Sequence, residues 1–142
     1  MASHFRLAIV STILLIVWGC GGSGANNPFE GNWAGTWSEA GNGGVSGTWT
    51  IAVSTTGLIT GSATSDAPAH EGLTGAIIGR VDTSGNLTNT TCTYAGFPPT
   101  TITGQMLFTS SADTGISCTL TENVPNPQGG MNYAMTLLLT KQ

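Results

Sequence analysis

The chain has 142 residues, a length that favours a single domain, and its formal net charge at pH 7 is −4, with seven acidic and three basic residues. Nucleic-acid binding is excluded, because phosphate neutralisation needs clustered lysine and arginine and only Arg80 and Lys141 follow residue 20. Only 7% of the residues are charged, yet the chain is rich in Thr, Ile and Val with interspersed aromatic residues. Such a composition argues against disorder.

The first nineteen residues have the pattern of an export signal. Arg6 provides the early positive charge, and the twelve residues of Leu7–Trp18 are apolar apart from a serine and a threonine. This run fits the apolar region of a secretory signal, about 7–15 residues, and is shorter than the ~20 residues of a membrane-spanning helix. We therefore expect residues 1–19 to be a signal-peptide helix.

The end of this segment, Val17-Trp18-Gly19-Cys20, resembles the lipobox of bacterial lipoproteins, although Trp18 stands where that class has a small residue. The resemblance implies cleavage before Cys20, a diacylglycerol on its thiol and acylation of the new amino group. Gly21 after the cysteine implies, by the same resemblance, sorting to the outer membrane of a Gram-negative bacterium. Residues 20–28 would then be the lipidated cysteine and a flexible Gly/Ser/Asn tether, and the protein would be exported and anchored in the cell envelope. The alternative is that Cys20 is an ordinary thiol near a cleavage site.

From Phe29 onward, apolar and polar residues alternate, as in Trp49, Ile51 and Val53 with Thr50 and Ala52 between them. A period of two is typical of half-buried strands, and no later stretch has a convincing helical period. The pattern predicts an all-β domain over residues 29–142. Its strands are expected at about 32–38, 46–55, 58–65, 73–82, 86–94, 100–110, 115–122 and 131–141.

An internal repeat indicates how these strands are connected. Residues 53–60 match residues 81–88 at a spacing of 28, and residues 113–116 are a degenerate third copy. Each copy places a glycine, namely Gly57, Gly85 or Gly115, where a hairpin turn requires a positive φ. The repeat predicts a small up-and-down antiparallel β-barrel of about eight strands. Its tight turns and both termini lie at one end, and its longer connections lie at the other, which we call the loop end.

The stretch from Gly47 to Val81 resembles the avidin and lipocalin-like barrels. The resemblance is carried by Gly47-Thr48-Trp49, Gly57-Leu58-Ile59-Thr60-Gly61 and Leu73-Thr74-Gly75. It implies the small-barrel fold. It does not imply biotin binding, because those proteins hold biotin with tryptophans from later strands and this chain has no tryptophan after Trp49.

The sequence offers little material for catalysis. Asp113-Thr114-Gly115 matches the aspartic-protease triplet, but that chemistry needs two such aspartates. His70, the only histidine after residue 20, lacks partners at catalytic or zinc-binding spacing, so His70-Glu71 is interpreted as a solvated loop pair. Four acidic residues gather toward the loop end without the spacing of a calcium site: Glu39, Asp66, Glu71 and Glu122. We expect no catalytic residue, no metal and no cofactor.

Cys92 and Cys118 leave two alternatives open. Two thiols in an exported domain favour a disulfide. However, the predicted strand order places them on strands five and seven, about 9–10 Å apart, whereas a disulfide needs Cα atoms within about 7 Å. They are either bridged through a displaced strand six or free and buried.

The aromatic residues give the best indication of function. Five of them are predicted near the loop end, and they either fill the top of a packed core or line a ligand pocket: Trp37, Trp49, Tyr94, Phe97 and Tyr133. The first hypothesis is a non-catalytic barrel that binds a small apolar or aromatic ligand. The alternative is a structural or protein-interaction lipoprotein with a filled core, for example an inhibitor of an envelope enzyme.

Overall fold

Eight antiparallel strands form a closed barrel in the computed structural model, which describes residues 25–41 and 44–142. The strands are β1 (Gly31–Ala40), β2 (Ser46–Val53), β3 (Leu58–Ala63), β4 (Gly75–Val81), β5 (Leu87–Thr93), β6 (Thr100–Gly104), β7 (Gly115–Val124) and β8 (Met131–Lys141). A 3₁₀ turn, Pro68–His70, lies between β3 and β4. The predicted signal peptide, Cys20 and the start of the predicted tether lie outside the described residues. Within the described ranges, no helix is long and apolar enough to cross a membrane.

Each strand pairs with its neighbours in sequence, and β8 returns to β1 to close the barrel. The closing pair is long, running from Trp33 opposite Lys141 to Ala40 opposite Ala134. Alternate residues face inward, as on β4, where the odd-numbered positions from Gly75 to Val81 are all buried. The predicted all-β, up-and-down, eight-stranded barrel is confirmed. Closure leaves no free sheet edge on a domain rich in Thr and Val.

The end of the barrel that carries the termini is tightly packed, and we call it the closed end. Phe29 stacks on Phe108 with ring centroids 4.4 Å apart. Trp33 is fully buried beside them, and its Nε1 donates a hydrogen bond of 2.8 Å to the Phe29 carbonyl. Met106 is also fully buried. Aromatic and apolar side chains therefore fill this half of the barrel.

The folded domain begins earlier than predicted. Asn27, assigned to the tether from the sequence, is buried, and its backbone N–H donates to the Thr55 carbonyl. Its side-chain amide donates to the Val81 carbonyl at 2.8 Å, and its side-chain oxygen accepts from the Phe29 N–H at 2.9 Å. Asn27 thus ties the incoming chain to two turns of the closed end. Because Thr55 and Val81 are distant in the sequence, the composition of residues 20–28 does not reveal these contacts.

The third predicted tight turn is also different. Gly57 and Gly85 have φ values of 78° and 92°, as predicted, whereas in the third copy Asp113 has the positive φ, of 52°. β6 ends at Gly104 rather than near residue 110, and residues 105–114 form a longer connection. The reason is Met106, which turns into the core, while its backbone N–H donates to the Gly85 carbonyl at 2.8 Å. The connection therefore covers the closed end instead of extending a strand pair.

Candidate functional site: a cavity at the loop end

The loop end contains a cavity of about 190 Å³, which we call the mouth cavity. All five aromatic residues predicted for this end line it: Trp37, Trp49, Tyr94, Phe97 and Tyr133. Its floor is formed by buried residues of β6 and β8, Ile102 and Met135. Both alternatives from the sequence concern these five residues, and the structure has a cavity beside them rather than a fully packed loop end. The closed end is filled, and the loop end is hollow.

The aromatic walls are fixed by specific contacts. Trp37 is buried, and its Nε1 donates a 2.9 Å hydrogen bond to the Thr64 carbonyl just after β3. Trp49 is only 2% exposed. The Tyr94 ring lies over Gly75, where a β-carbon would be 2.9 Å from the ring. Because Gly75 has no side chain, the Tyr94 ring packs directly against the backbone of β4. This part of the cavity wall is therefore formed without a ligand.

His70, which the sequence placed in a solvated loop pair, belongs to this wall. The imidazole stacks on the Tyr94 ring at a centroid distance of 4.3 Å and contacts Phe97 edge to face at 4.6 Å. His70 is partly buried, whereas its neighbour Glu71 is exposed. The prediction was wrong for His70 because the 3₁₀ turn folds across the mouth toward the β5–β6 loop. Spacing along one sequence does not reveal such a loop-to-loop contact.

Two carboxyl groups meet inside the mouth cavity. Glu39 of β1 is only 5% exposed, and its side chain is hydrogen-bonded to that of Glu122 of β7. Both residues line the cavity. Burial and then the hydrogen bond to Glu39 are the main causes that raise the pKa of Glu122 to about 8. A hydrogen bond to Thr100 lowers this pKa in part, and the negative charge of Glu39 raises it slightly. Glu122 therefore retains its proton at neutral pH.

The positions of Glu39 and Glu122 along their strands indicate that both side chains point into the barrel. Glu39 follows Trp33 and Trp37 at the same parity on β1, and Glu122 follows Cys118 and Leu120 at the same parity on β7. Residues of equal parity share a face of a strand, so both carboxylates had to point inward. The strands then had to close before the two could be neighbours in space.

The other two acidic residues of the loop end do not join them. Asp66 is exposed, and its carboxylate accepts hydrogen bonds from the backbone N–H and the hydroxyl of Ser46 at 2.6 and 2.7 Å. These two bonds lower the Asp66 pKa from its usual value. Glu71 is exposed and does not line the cavity. Among residues 25–41 and 44–142, no three His, Cys, Asp or Glu side chains group as they would around a metal ion.

Tyr94 carries a buried polar atom in the wall of the cavity. The residue is 6% exposed, and its hydroxyl oxygen is buried without a well-formed hydrogen bond to the described part of the chain. The neighbouring Cys92 thiol, a weak hydrogen-bonding group, interacts with it. Burial and the nearby Cys92 and Glu122 raise the Tyr94 pKa, so the hydroxyl stays protonated. A buried hydroxyl in this position costs free energy unless another group satisfies it.

Cys92 and Cys118 are both buried free thiols. Cys92 is opposite Thr100 on β6, and the adjacent Thr101 is opposite Asn123 on β7. Cys118 lies five residues from Asn123, about 17 Å along the strand at 3.3 Å per residue. β6 lies between the strands of the two cysteines. Their separation along the strand direction alone excludes a disulfide, which needs Cα atoms within about 7 Å. Of the two alternatives left open by the sequence, the structure has the free thiols.

We expect the domain to carry two alkylatable thiols without prior reduction. Denaturation followed by iodoacetamide should add two adducts at Cys92 and Cys118, seen by peptide mass spectrometry. In the native protein, alkylation should be far slower, because both thiols are buried and burial raises the Cys92 pKa to about 11. A Cys92–Cys118 linked peptide in non-reduced protein would contradict this register.

No protein-family model matches the chain, and neither does a curated protein or a solved structure.

Proposed function

We propose that the protein is a non-catalytic binding module of the cell envelope, which takes a small aromatic or apolar ligand into the mouth cavity. The observation that carries the proposal is the cavity of about 190 Å³ with five aromatic residues in its wall. A dry cavity of about 150 Å³ holds one benzene molecule, so the space suits a ligand with a single ring. Barrel mouths are favoured sites for such ligands.

The proposed location follows from residues 1–20 and agrees with the orientation of the barrel. The lipobox resemblance at Val17–Cys20 supports a lipid anchor in the outer membrane. Asn27 enters at the closed end, opposite the cavity. A chain tethered there would hold the mouth away from the membrane. The mass of the N-terminal peptide of mature protein tests the anchor: acylated Cys20 is expected, and an unmodified thiol would contradict it.

Binding of 2-phenylethanol, a neutral single-ring probe, tests the cavity directly by calorimetry or NMR titration. We expect Phe97→Ala and Tyr133→Ala to weaken binding several-fold. Phe97 is 39% exposed, so its removal should cost only about 1 kcal/mol of stability.

Leu138→Ala is the matched control for this experiment. Leu138 is 49% exposed and does not line the cavity, so its removal takes apolar surface from elsewhere on the protein. Affinity should be unchanged in this variant. Absence of binding to the wild-type protein would refute the pocket and favour an interaction protein with a closed core.

A further inference from the structure

Within the proposed binding function, on which this inference rests, we propose that the ligand is a small aromatic amine whose ammonium group binds between Glu39, Glu122 and the Tyr94 hydroxyl. These three residues come from β1, β7 and the residue after β5, and all three line the same cavity. The aromatic residues would hold the ring, and the three polar groups would receive the nitrogen. Neither the ring site nor the polar site is complete alone.

The charge of the cavity favours a cation. Its lining contains two carboxyl groups and neither lysine nor arginine within the described residues. The two basic residues of the barrel are elsewhere: Lys141 Nζ lies 5.4 Å from the Trp33 ring at the closed end, and Arg80 is opposite Leu58 beside a tight turn. An ammonium ion donates hydrogen bonds to carboxylates, and aromatic faces attract it further.

The Tyr94 hydroxyl is an independent indication of a ligand group. Its oxygen is buried, lacks a well-formed partner in the described chain and belongs to a residue of the cavity wall. An ammonium N–H that donates to this oxygen would satisfy it. A purely apolar ligand would leave it unsatisfied, which is costly in a water-excluded site.

Binding of an ammonium ion should release a proton. In the ligand-free protein, Glu122 holds its proton up to about pH 8. A bound cation stabilises Glu122 as a carboxylate, so this proton leaves to the buffer. The other titratable groups that face the pair are Cys92 and Tyr94 from the β5 side, His70 from the 3₁₀ turn and Tyr133 from β8. Of these, Cys92 and Tyr94 remain protonated through pH 9, because their pKa values are raised.

Three probes with the same ring and different end groups test the proposal: 2-phenylethylamine, 2-phenylethanol and phenylacetate. Alkylammonium groups titrate near pH 10, as lysine does, so the amine stays charged throughout. We expect the amine to bind about tenfold or more tighter than the alcohol at pH 8, and phenylacetate to bind weakest. The affinity for the amine should rise from pH 6 to about pH 8, with proton release in buffers of different ionisation enthalpy.

Glu122→Gln keeps the shape of the side chain and removes its charge. In this variant the affinity for the amine should no longer rise from pH 6 to about pH 8, and its advantage over the alcohol at pH 8 should fall several-fold, because one of the two carboxyl groups is gone. The affinity for the alcohol should be unchanged. Because His70 is unchanged in this variant, the part of the pH dependence of amine affinity that disappears belongs to Glu122. Glu71→Gln, which removes an exposed carboxylate outside the cavity, is the matched control and should bind like the wild type.

The outcomes distinguish the two proposals. If the alcohol and the amine bind equally, the amine inference is overturned and the aromatic pocket stands. If phenylacetate binds tightest, the inference is likewise overturned. If none of the three probes binds, the binding function itself fails, and the inference fails with it.

Discussion

Replacing Trp33 by alanine is expected to lower the free energy of unfolding by about 3–5 kcal/mol, a large part of the ~5–15 kcal/mol typical of a single domain. Trp33 is fully buried, its ring centroid lies 6.1 Å from that of Phe108, and its Nε1 donates to the Phe29 carbonyl. Its removal leaves a cavity and an unsatisfied carbonyl in the packed half of the barrel. Urea unfolding followed by circular dichroism measures the loss.

Phe97→Ala is the control for that experiment, because Phe97 is an aromatic residue of the hollow half and is 39% exposed. It should cost about 1 kcal/mol. If the two variants lose equal stability, the division of the barrel into a filled closed end and an open mouth is wrong.

Glu122→Gln should remove a pH dependence of stability. The folded-state pKa of Glu122 is raised from 4.5 to about 8, so between these values the folded protein binds more protons than the unfolded chain. The stabilisation is fully present below about pH 4.5 and is lost as the pH rises through about 8. Between about pH 5 and 9 this loss is on the order of 4 kcal/mol, about three pH units at ~1.4 kcal/mol per unit.

The glutamine variant cannot ionise at this position and should be more stable than the wild type at pH 9, with a flatter profile from pH 5 to 9. Urea midpoints at a series of pH values test this. Glu71→Gln should keep the wild-type slope, because Glu71 is exposed. Parallel slopes for Glu122→Gln and the wild type would show that Glu122 titrates as a solvated carboxyl, which contradicts its buried pairing with Glu39.

The order and pairing of the strands could be predicted from the sequence because the period of two is uninterrupted along strands such as β4 and β8. Ile77 and Val81 on β4 and Leu137 and Leu139 on β8 are all buried, as their alternation required. The glycine turns at Gly57 and Gly85 then determine which strands are neighbours.

The β6–β7 connection could not be predicted, because its course depends on a tertiary contact. Met106 and Phe108 continue the alternation of β6, and so they were assigned to a longer strand. In the structure they fold over the closed end, where Phe108 stacks on Phe29. An apolar residue that covers a barrel end has the same sequence signature as one in a strand.

The candidate site was predictable in its aromatic part only. Trp37, Trp49 and Tyr133 follow from strand position, because each lies on an inward face near the loop end. His70 was missed because two loops must fold together to bring it to Tyr94. The pairing of Glu39 with Glu122 required barrel closure, since β8 lies between their strands. The alternation along β1 or β7 shows which side chains face inward, but it does not show that Glu39 and Glu122 meet across β8.

The most direct test of the account is an intermolecular nuclear Overhauser experiment with 2-phenylethylamine bound to the isotope-labelled protein. Trp37 and Trp49 line the mouth cavity, whereas Trp33 is fully buried at the closed end. We predict contacts from the ring protons of the probe to the indoles of Trp37 and Trp49, and none to Trp33. Contacts to the outer wall of the barrel alone, or no contacts at saturating probe, would contradict a ligand site in this cavity.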